Sequence, residues 1–588
     1  MSGPIPKSLG KPSAIKQLIL ANNNLSGFIP SFLGDLRELI RLDLSYNRLS
    51  GGIPFSLGQL SNLQYLDIYH SSLDGTVFED HLAKLSNLYL LRISSFKFKV
   101  KLDWVPPFQL QVLTLESCDI GDQFPQWVRM QKELVYLKME NCSITDTLSN
   151  SLYNYKNLTS LHLSSNHIQG PIPNNISQML PFLEILYLDQ NNIYGSLPDS
   201  LCEMKSLSLM DLSKNHISGN LPECLGNLHD LTIMKLSSNE ISGVIPNSIG
   251  GAYSLQWLHL NNNNLSGKLP FTMKNCTKLI VVDVGENKFL GNLPKWIGNY
   301  MLDLRVLRLR NNKFHGQIPL EVCRLLKLQM LDLANNNLTG SIPNCFGNFS
   351  GMVVNPKPDN DKLANHHDYD YDDNNYDLGS FIEVLKGQER EYSKKISGLL
   401  VNLDVSNNNL VGEIPWELTR LSSLHGLNLS HNHLVGKIPE RIGDMQSMES
   451  FDLSDNNLSG TIPSSLSDLS FISYLNLSHN NLSGQIPIGR HLQTLDNPSI
   501  YEGNPQLCGA PLPKKCEEAS MVPSITDNHV VANKGANIDD KILFSGVIIC
   551  GFATGFWGVI GFLVFNKRWR QAHLEFVEER IIRRWFKG

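Results

Sequence analysis

The chain has 588 residues, a formal net charge of −6, 18% charged residues and ten cysteines. A mildly acidic balance offers no field for a nucleic-acid backbone, and no phosphate-cradling glycine loop or kinase-type signature occurs. Serine, histidine and aspartate are plentiful but lie scattered over a repeated pattern, so neither a catalytic constellation nor a cofactor is expected.

The pattern has a period of about 24 residues and reads L-x-x-L-x-L-x-x-N-x-L-x-G-x-I-P, as in Leu42 to Pro54. A fixed period of this length marks a solenoid, and the leucine spacing marks a leucine-rich repeat. The expected fold is an α/β solenoid, a horseshoe or superhelix of about 18 repeats. The asparagine position falls at Asn23, Asn47, Ser71, Phe96, Cys118, Cys142, Asn166, Asn191, Asn215, Asn239, Asn263, Asn287, Asn312 and Asn336, then at Asn408, Asn432, Asn456 and Asn480. Each L-x-L predicts a short strand with its leucines turned inward. The asparagine amide then satisfies backbone groups that the bend after the strand would bury unpaired. Stacked turns give one parallel sheet, and no turn buries its apolar face without its neighbours. Glycine supplies a permissive bend and proline stiffens the segment after it.

The chain opens inside a repeat, with no basic-plus-apolar leader and no paired-cysteine cap, so a fragment of a longer protein is expected. The first block of repeats spans residues 1–351. Within it Cys202 and Cys224 are 22 apart, as are Cys323 and Cys345, at the same repeat phase, which suggests disulfides between adjacent turns. Cys118 and Cys142 replace the asparagine and are read as buried thiols, and Cys276 has no evident partner. An insert, 352–397, breaks the period; its run from Asn365 to Asp373 is read as a solvated loop, because the calcium-loop glycine and final glutamate are missing. A second block occupies 398–490, and then a cap, 491–516, holds Cys508 and Cys516. An acidic linker, 517–541, leads to 24 uncharged residues, 542–565, long enough for one transmembrane helix. Lys567, Arg568 and Arg570 put the short tail, 566–588, in the cytosol and the repeats outside. Gly551, Gly555, Gly558 and Gly561 make a small-residue stripe where another membrane helix can approach. Acceptors for N-glycans stand at Asn24, Asn141, Asn157, Asn175, Asn264, Asn275, Asn337, Asn348, Asn428, Asn457, Asn476 and Asn481, although the repeat itself generates N-x-S mechanically.

The I-P form of the repeat is similar to the plant leucine-rich repeat class. Together with the insert containing Lys386-Gly387 and Glu391-Tyr392, four further repeats, a cysteine cap and one span, it resembles the plant receptor-like proteins over nearly the whole chain. The resemblance implies a plasma-membrane receptor without a kinase domain. It implies that the insert is an island domain and that the repeats of Asn408 to Asn480 engage a co-receptor. Signalling would run through an adaptor receptor kinase and a somatic-embryogenesis-type co-receptor kinase, mostly in defence and sometimes in development.

Ligand is expected on the strand face, where the variable positions of L-x-x-L-x-L-x-x-N point outward. These include Tyr136, Lys138, Glu140, Tyr187, Asp189, Trp257, His259, Asn261, Arg308 and Arg310. The ligand would be an extracellular microbial protein or peptide, or an endogenous peptide. A developmental peptide-hormone subunit, an inhibitor-like binder of wall-degrading enzymes, and a fragment without function are the alternatives.

Overall fold

The structure is a computed structural model that describes residues 1–516 apart from 11–13, 153–154, 354–380, 386–387, 393–399 and 490–491. For residues 381–385 and 388–392 it describes backbone only. Met1–Cys516 forms one compact unit. The span 542–565, its glycine stripe and the cytosolic tail lie outside the described residues. Among those described, no helix is long and apolar enough to cross a membrane.

Eighteen parallel strands build the main sheet, from Gln17–Ile19 to Tyr474–Asn476. Each pairs in register with the next turn, as Ile233↔Trp257 and Trp257↔Val281 show. Among the described residues no pairing joins the last strand to the first, so the sheet is an open ladder. The leucines on either side of each outward residue point inward, and Leu255, Leu258, Leu260 and Leu265 are fully buried. Each such side chain contributes roughly 1.5–3 kcal/mol of transfer free energy, collected only because the neighbouring turns cover it.

After each strand the chain bends at a residue with left-handed backbone, and the ladder asparagine comes next. Asn263 shows the arrangement. Its Nδ2 donates to the carbonyls of Leu236, Leu260 and Asn261 at 2.9, 3.1 and 3.3 Å, and its Oδ1 accepts from the Ile241 amide at 3.0 Å. One side chain thereby ties its own bend to the turn before it. The residue ahead of each ladder position has φ between 50° and 66°, including Tyr46, Lys214 and Glu286, which are not the usual left-handed formers. The repeat pattern attributes conformational freedom to the glycine of G-x-I-P alone. The bend before the asparagine demands it as well, and tolerates many side chains because they project into solvent.

A second parallel ladder lies beyond the bend. It comprises thirteen strands from Gln169–Gly170 to Gln506–Cys508, and four strands at the start of the chain. Between them the G-x-I-P motif is missing and the ladder position holds Phe96, Cys118 and Cys142. There the second ladder shrinks to the pair Thr76–Val77 with Lys97–Phe98, plus the single bridges Lys97↔Asp119 and Thr147↔Gln169. In compensation the main-sheet strands Leu90–Ser94, Val112–Glu116 and Tyr136–Glu140 lengthen to five residues each. Most turns then cross the back of the solenoid as a short 3-10 helix entered through proline, as at Pro54 before Phe55–Gln59.

The insert leaves the sheet unbroken. Met330 pairs with Asn402, and the Leu338 amide donates to Asn408 Oδ1 at 2.9 Å across the gap. Part of the insert is regular: Phe381–Leu385 and Gln388–Tyr392 form an antiparallel pair that the repeat pattern does not anticipate. Its acidic run lies outside the described residues. Asn504 adds a rung beyond Asn480, with Nδ2 donating to Leu477 O at 3.0 Å and Oδ1 accepting from Leu482 N at 2.9 Å. The cap therefore continues the ladder that it closes.

Candidate ligand-binding face

Strand residues alternate in direction, so the outward positions of successive turns line up as columns across the sheet. The first column, just before the middle leucine, reads Tyr65, Leu90, Val112, Tyr136, then Ser160, then Ile185, Leu209, Ile233, Trp257, Val281, Val306 and Met330 before Asn402. Leu209 to Met330 and Tyr187 form one apolar cluster, and Tyr65, Leu90 and Val112 form another. Of these apolar residues the sequence singles out Tyr136, Tyr187 and Trp257. The signal that could have found the rest is an apolar residue immediately before the middle leucine in successive repeats, easily taken for core.

The second column is charged. Asp67, Arg92, Lys138, Asp211, Lys235, His259, Asp283, Arg308, Asp332 and Asp404 belong to it, and opposite charges on adjacent strands pair. Arg92 meets Asp67 at 3.2 Å and Lys235 meets Asp211 at 3.2 Å. Arg308, expected to be a free anchor, is 1% exposed and bound to Asp283 at 3.1 Å, Glu286 at 2.7 Å and Asp332 at 3.4 Å. Despite the cost of burial, these three carboxylates raise its pKa further. Arg308 orders the sheet face. Arg310 lies 3.7 Å from Asp332. Lys138 bridges Glu116 and Glu140 at 3.4 and 3.3 Å. Burial works to raise the Glu140 pKa, but the His162 hydrogen bond and the Lys138 charge outweigh it and hold the carboxylate below its usual range.

Beyond Arg308 this column has no cation among the described residues. Burial, and then the neighbouring Asp332, push Asp404 up to about 7. Asn428 and Asn476 occupy the same column and donate to Asp404 and Asp452 at 3.3 and 3.5 Å. Burial and the adjacent Asp211 push Asp189 up to about 6, and Ser164 donates to it. His259 is lowered to about 3 by burial and by Lys235, so it faces the column as a neutral ring beside Trp257, centroids 6.0 Å apart. Asn261 is buried in the third column.

The cysteines pair as Cys202–Cys224 and Cys323–Cys345, each with Cα atoms 5.7 Å apart, and as Cys508–Cys516. Cys118, Cys142 and Cys276 are buried free thiols. The Cys142 thiol meets the carbonyls of Leu115 and Glu140, two groups that a ladder amide would serve. Of the glycan acceptors, Asn24, Asn264, Asn337, Asn457 and Asn481 open strands of the second ladder and are exposed. Asn141, Asn157, Asn175, Asn275 and Asn348 are exposed on bends and back-side turns. Asn428 and Asn476 differ, because they lie half-buried in the sheet and accept hydrogen bonds from Ser430 and Ser478.

Two family profiles, both described as leucine-rich repeat, match the chain. One covers residues 13–73 and 211–265; the other covers 157–179, 182–204, 303–325, 327–349, 399–421, 423–445, 447–469 and 471–489. Receptor-like protein EIX2 of Solanum lycopersicum is 42% identical over 535 residues, 86% of this chain and 52% of that protein. The chain thus spans about half the length of that relative. Among solved structures, the Arabidopsis receptor kinase HAESA ectodomain, in complex with an IDA peptide hormone ligand, is 29% identical. That match covers 88% of this chain and 78% of the other at a TM-score of 0.66. The plant peptide hormone receptor RGFR1 in complex with RGF2 is 28% identical over 84% of this chain and 75% of its own, at 0.65. HAESA in complex with IDA and the co-receptor SERK1 matches at 29% identity, over 86% and 76%, at 0.63. With repeats, ladder and relatives in agreement, the chain belongs to the leucine-rich repeat family and groups there with the plant receptor-like proteins.

Proposed function

We propose that the chain is the recognition part of a cell-surface receptor that binds an extracellular protein or peptide on its sheet face. The observation that carries this reading is the apolar stripe from Ile185 to Met330 beside a charged column. An extended ligand can lay alternate side chains along the stripe while its polar groups meet the column. Anchoring falls to Trp257 and its apolar neighbours, with Tyr187 at the edge of the stripe, because Arg308 is already bound on three sides. The span 542–565 holds the repeats outside the plasma membrane. Signalling runs through an adaptor receptor kinase and a co-receptor kinase of the somatic-embryogenesis type, in plant defence.

A developmental reading has support of its own, since the similar ectodomains of HAESA and RGFR1 are described with peptide hormones. A panel of synthetic peptide hormones offered to the full chain separates the two. Binding that Trp257→Ala weakens at least tenfold favours the hormone reading. Co-precipitation from leaf membranes with a kinase-inactive adaptor receptor kinase tests the signalling reading. If the chain carries N-glycans yet recovers no adaptor, a signalling role is ruled out.

A further inference from the structure

Away from the sheet face, a cleft opens on the back of the second block of repeats. It lies between the 3-10 turn Trp416–Arg420 and the turn of the next repeat, Ile442–Asp444. Its volume is about 390 Å³ and its walls are Trp416, Thr419, Arg420, Ser422, Arg441 and Asp444. That size falls in the range of small-molecule sites, roughly 300–1,000 Å³. Trp416 is 52% exposed, an unusual place for an indole that the core does not use. The Arg420 guanidinium sits 4.7 Å over the ring centroid and meets no carboxylate among the described residues. Arg441 engages Asp444 through Nε at 2.7 Å and Nη2 at 2.6 Å, both to Oδ2, which leaves Asp444 Oδ1 without a partner among the described residues. Thr419 Oγ1 donates to Trp416 O at 2.8 Å and Ser422 Oγ to Val353 O at 3.0 Å, so each hydroxyl retains acceptor capacity.

From this set we infer a carbohydrate site of the solenoid's back that takes an acidic sugar unit, a hexuronate within an oligosaccharide. The apolar C–H face of a pyranose packs against the exposed rim of the indole, on the same side as the Arg420 guanidinium. Its carboxylate takes the planar donor fork of Arg420, which suits that geometry better than an ammonium does. Ring hydroxyls donate to Asp444 Oδ1 and to the hydroxyl oxygens of Ser422 and Thr419. A neutral sugar leaves Arg420 unanswered, and a phosphate dianion meets the Asp444 carboxylate without using the indole. The site is independent of the ligand assigned to the sheet face.

The test uses the full chain in detergent, with a trimer of galacturonic acid as probe and calorimetry with tryptophan fluorescence as readouts. The expected result is binding of the acid trimer, weakened at least tenfold by methyl esterification of the probe. Arg420→Gln and Trp416→Ala should each weaken it to the same degree, Arg420→Lys should be intermediate, and inorganic phosphate should not compete. Absence of binding, equal binding of the ester, variants that bind as the parent does, or effective competition by phosphate overturns the proposal. A melting curve for each variant separates lost binding from lost folding. Arg420→Gln alters only an exposed turn, so it keeps the test open if Trp416→Ala unfolds.

Discussion

The smallest unit of this architecture is one amide. Asn263 satisfies three carbonyls and one amide from two successive turns, so its loss strands several buried polar groups together. Asn263→Ala should cost about 2–4 kcal/mol in urea unfolding monitored by circular dichroism. Asn263→Cys should cost less, because Cys118 and Cys142 already hold this position with thiols aimed at the same carbonyls. Asp404 gives a prediction with a sign. Its folded pKa of about 7 lies above the ordinary value near 3.8, so between those limits the folded chain holds a proton that the unfolded chain has released. Stability from this site is therefore greatest on the acid side and falls as pH rises through that window. Asp404→Asn keeps the acceptor for the Ser406 amide and copies the natural Asn428 and Asn476. It should raise stability by on the order of 2 kcal/mol at pH 8. Melting curves should show the gain shrinking steadily toward pH 4.

Between elements, stacking distance decides what is tolerated. A Cβ on Gly226 would lie 1.9 Å from the Ser248 carbonyl oxygen of the next turn, and one on Gly298 would lie 1.8 Å from that of Glu321. Backbone faces backbone there, with no flexible side chain to yield. Gly226→Ala should destabilise the chain by about 2 kcal/mol or more, read as a lowered urea midpoint. The two ladders also sort the glycan acceptors. Glycopeptide mass spectrometry of the chain purified from plant cell membranes should find glycan at a good share of the ten exposed asparagines. Asn428 and Asn476 should be bare, since their amides cap serines within the sheet. Glycan on either would mean that the sheet face is covered over the last repeats.

For the molecule as a whole, periodicity made the register legible: the positions of Asn23 to Asn480 each come just after one of the eighteen strands. The paired cysteines at one repeat phase were legible for the same reason. Asn504 was not, because Pro498 to Gly503 lack the leucine spacing while the backbone still supplies the bend. The apolar stripe was hidden in plain sight, since Leu209 beside Met210 reads as core and only the pleat tells them apart. Arg308 misled in the other direction, because its three carboxylates are spread over neighbouring turns and no local window shows them together. Charge pairing along the second column also predicts that full-chain stability declines with salt less than surface ion pairs would suggest, since Arg308 and Asp283 are shielded. Thermal melts at low salt and in molar sodium chloride, compared with Arg308→Gln, would measure it.

Two cables run the length of the repeats, and between Phe98 and Gln169 the second is all but cut while the first is thickened from three residues per strand to five. Bending stiffness in a stacked body comes from holding both sides. Where only the sheet side is reinforced, successive turns can fan apart on the other without breaking a strand. The section around Cys118 and Cys142 is thus a joint in an otherwise stiff arm, with the sheet as its axis. A ligand gripping both sides of that joint would set the angle between them.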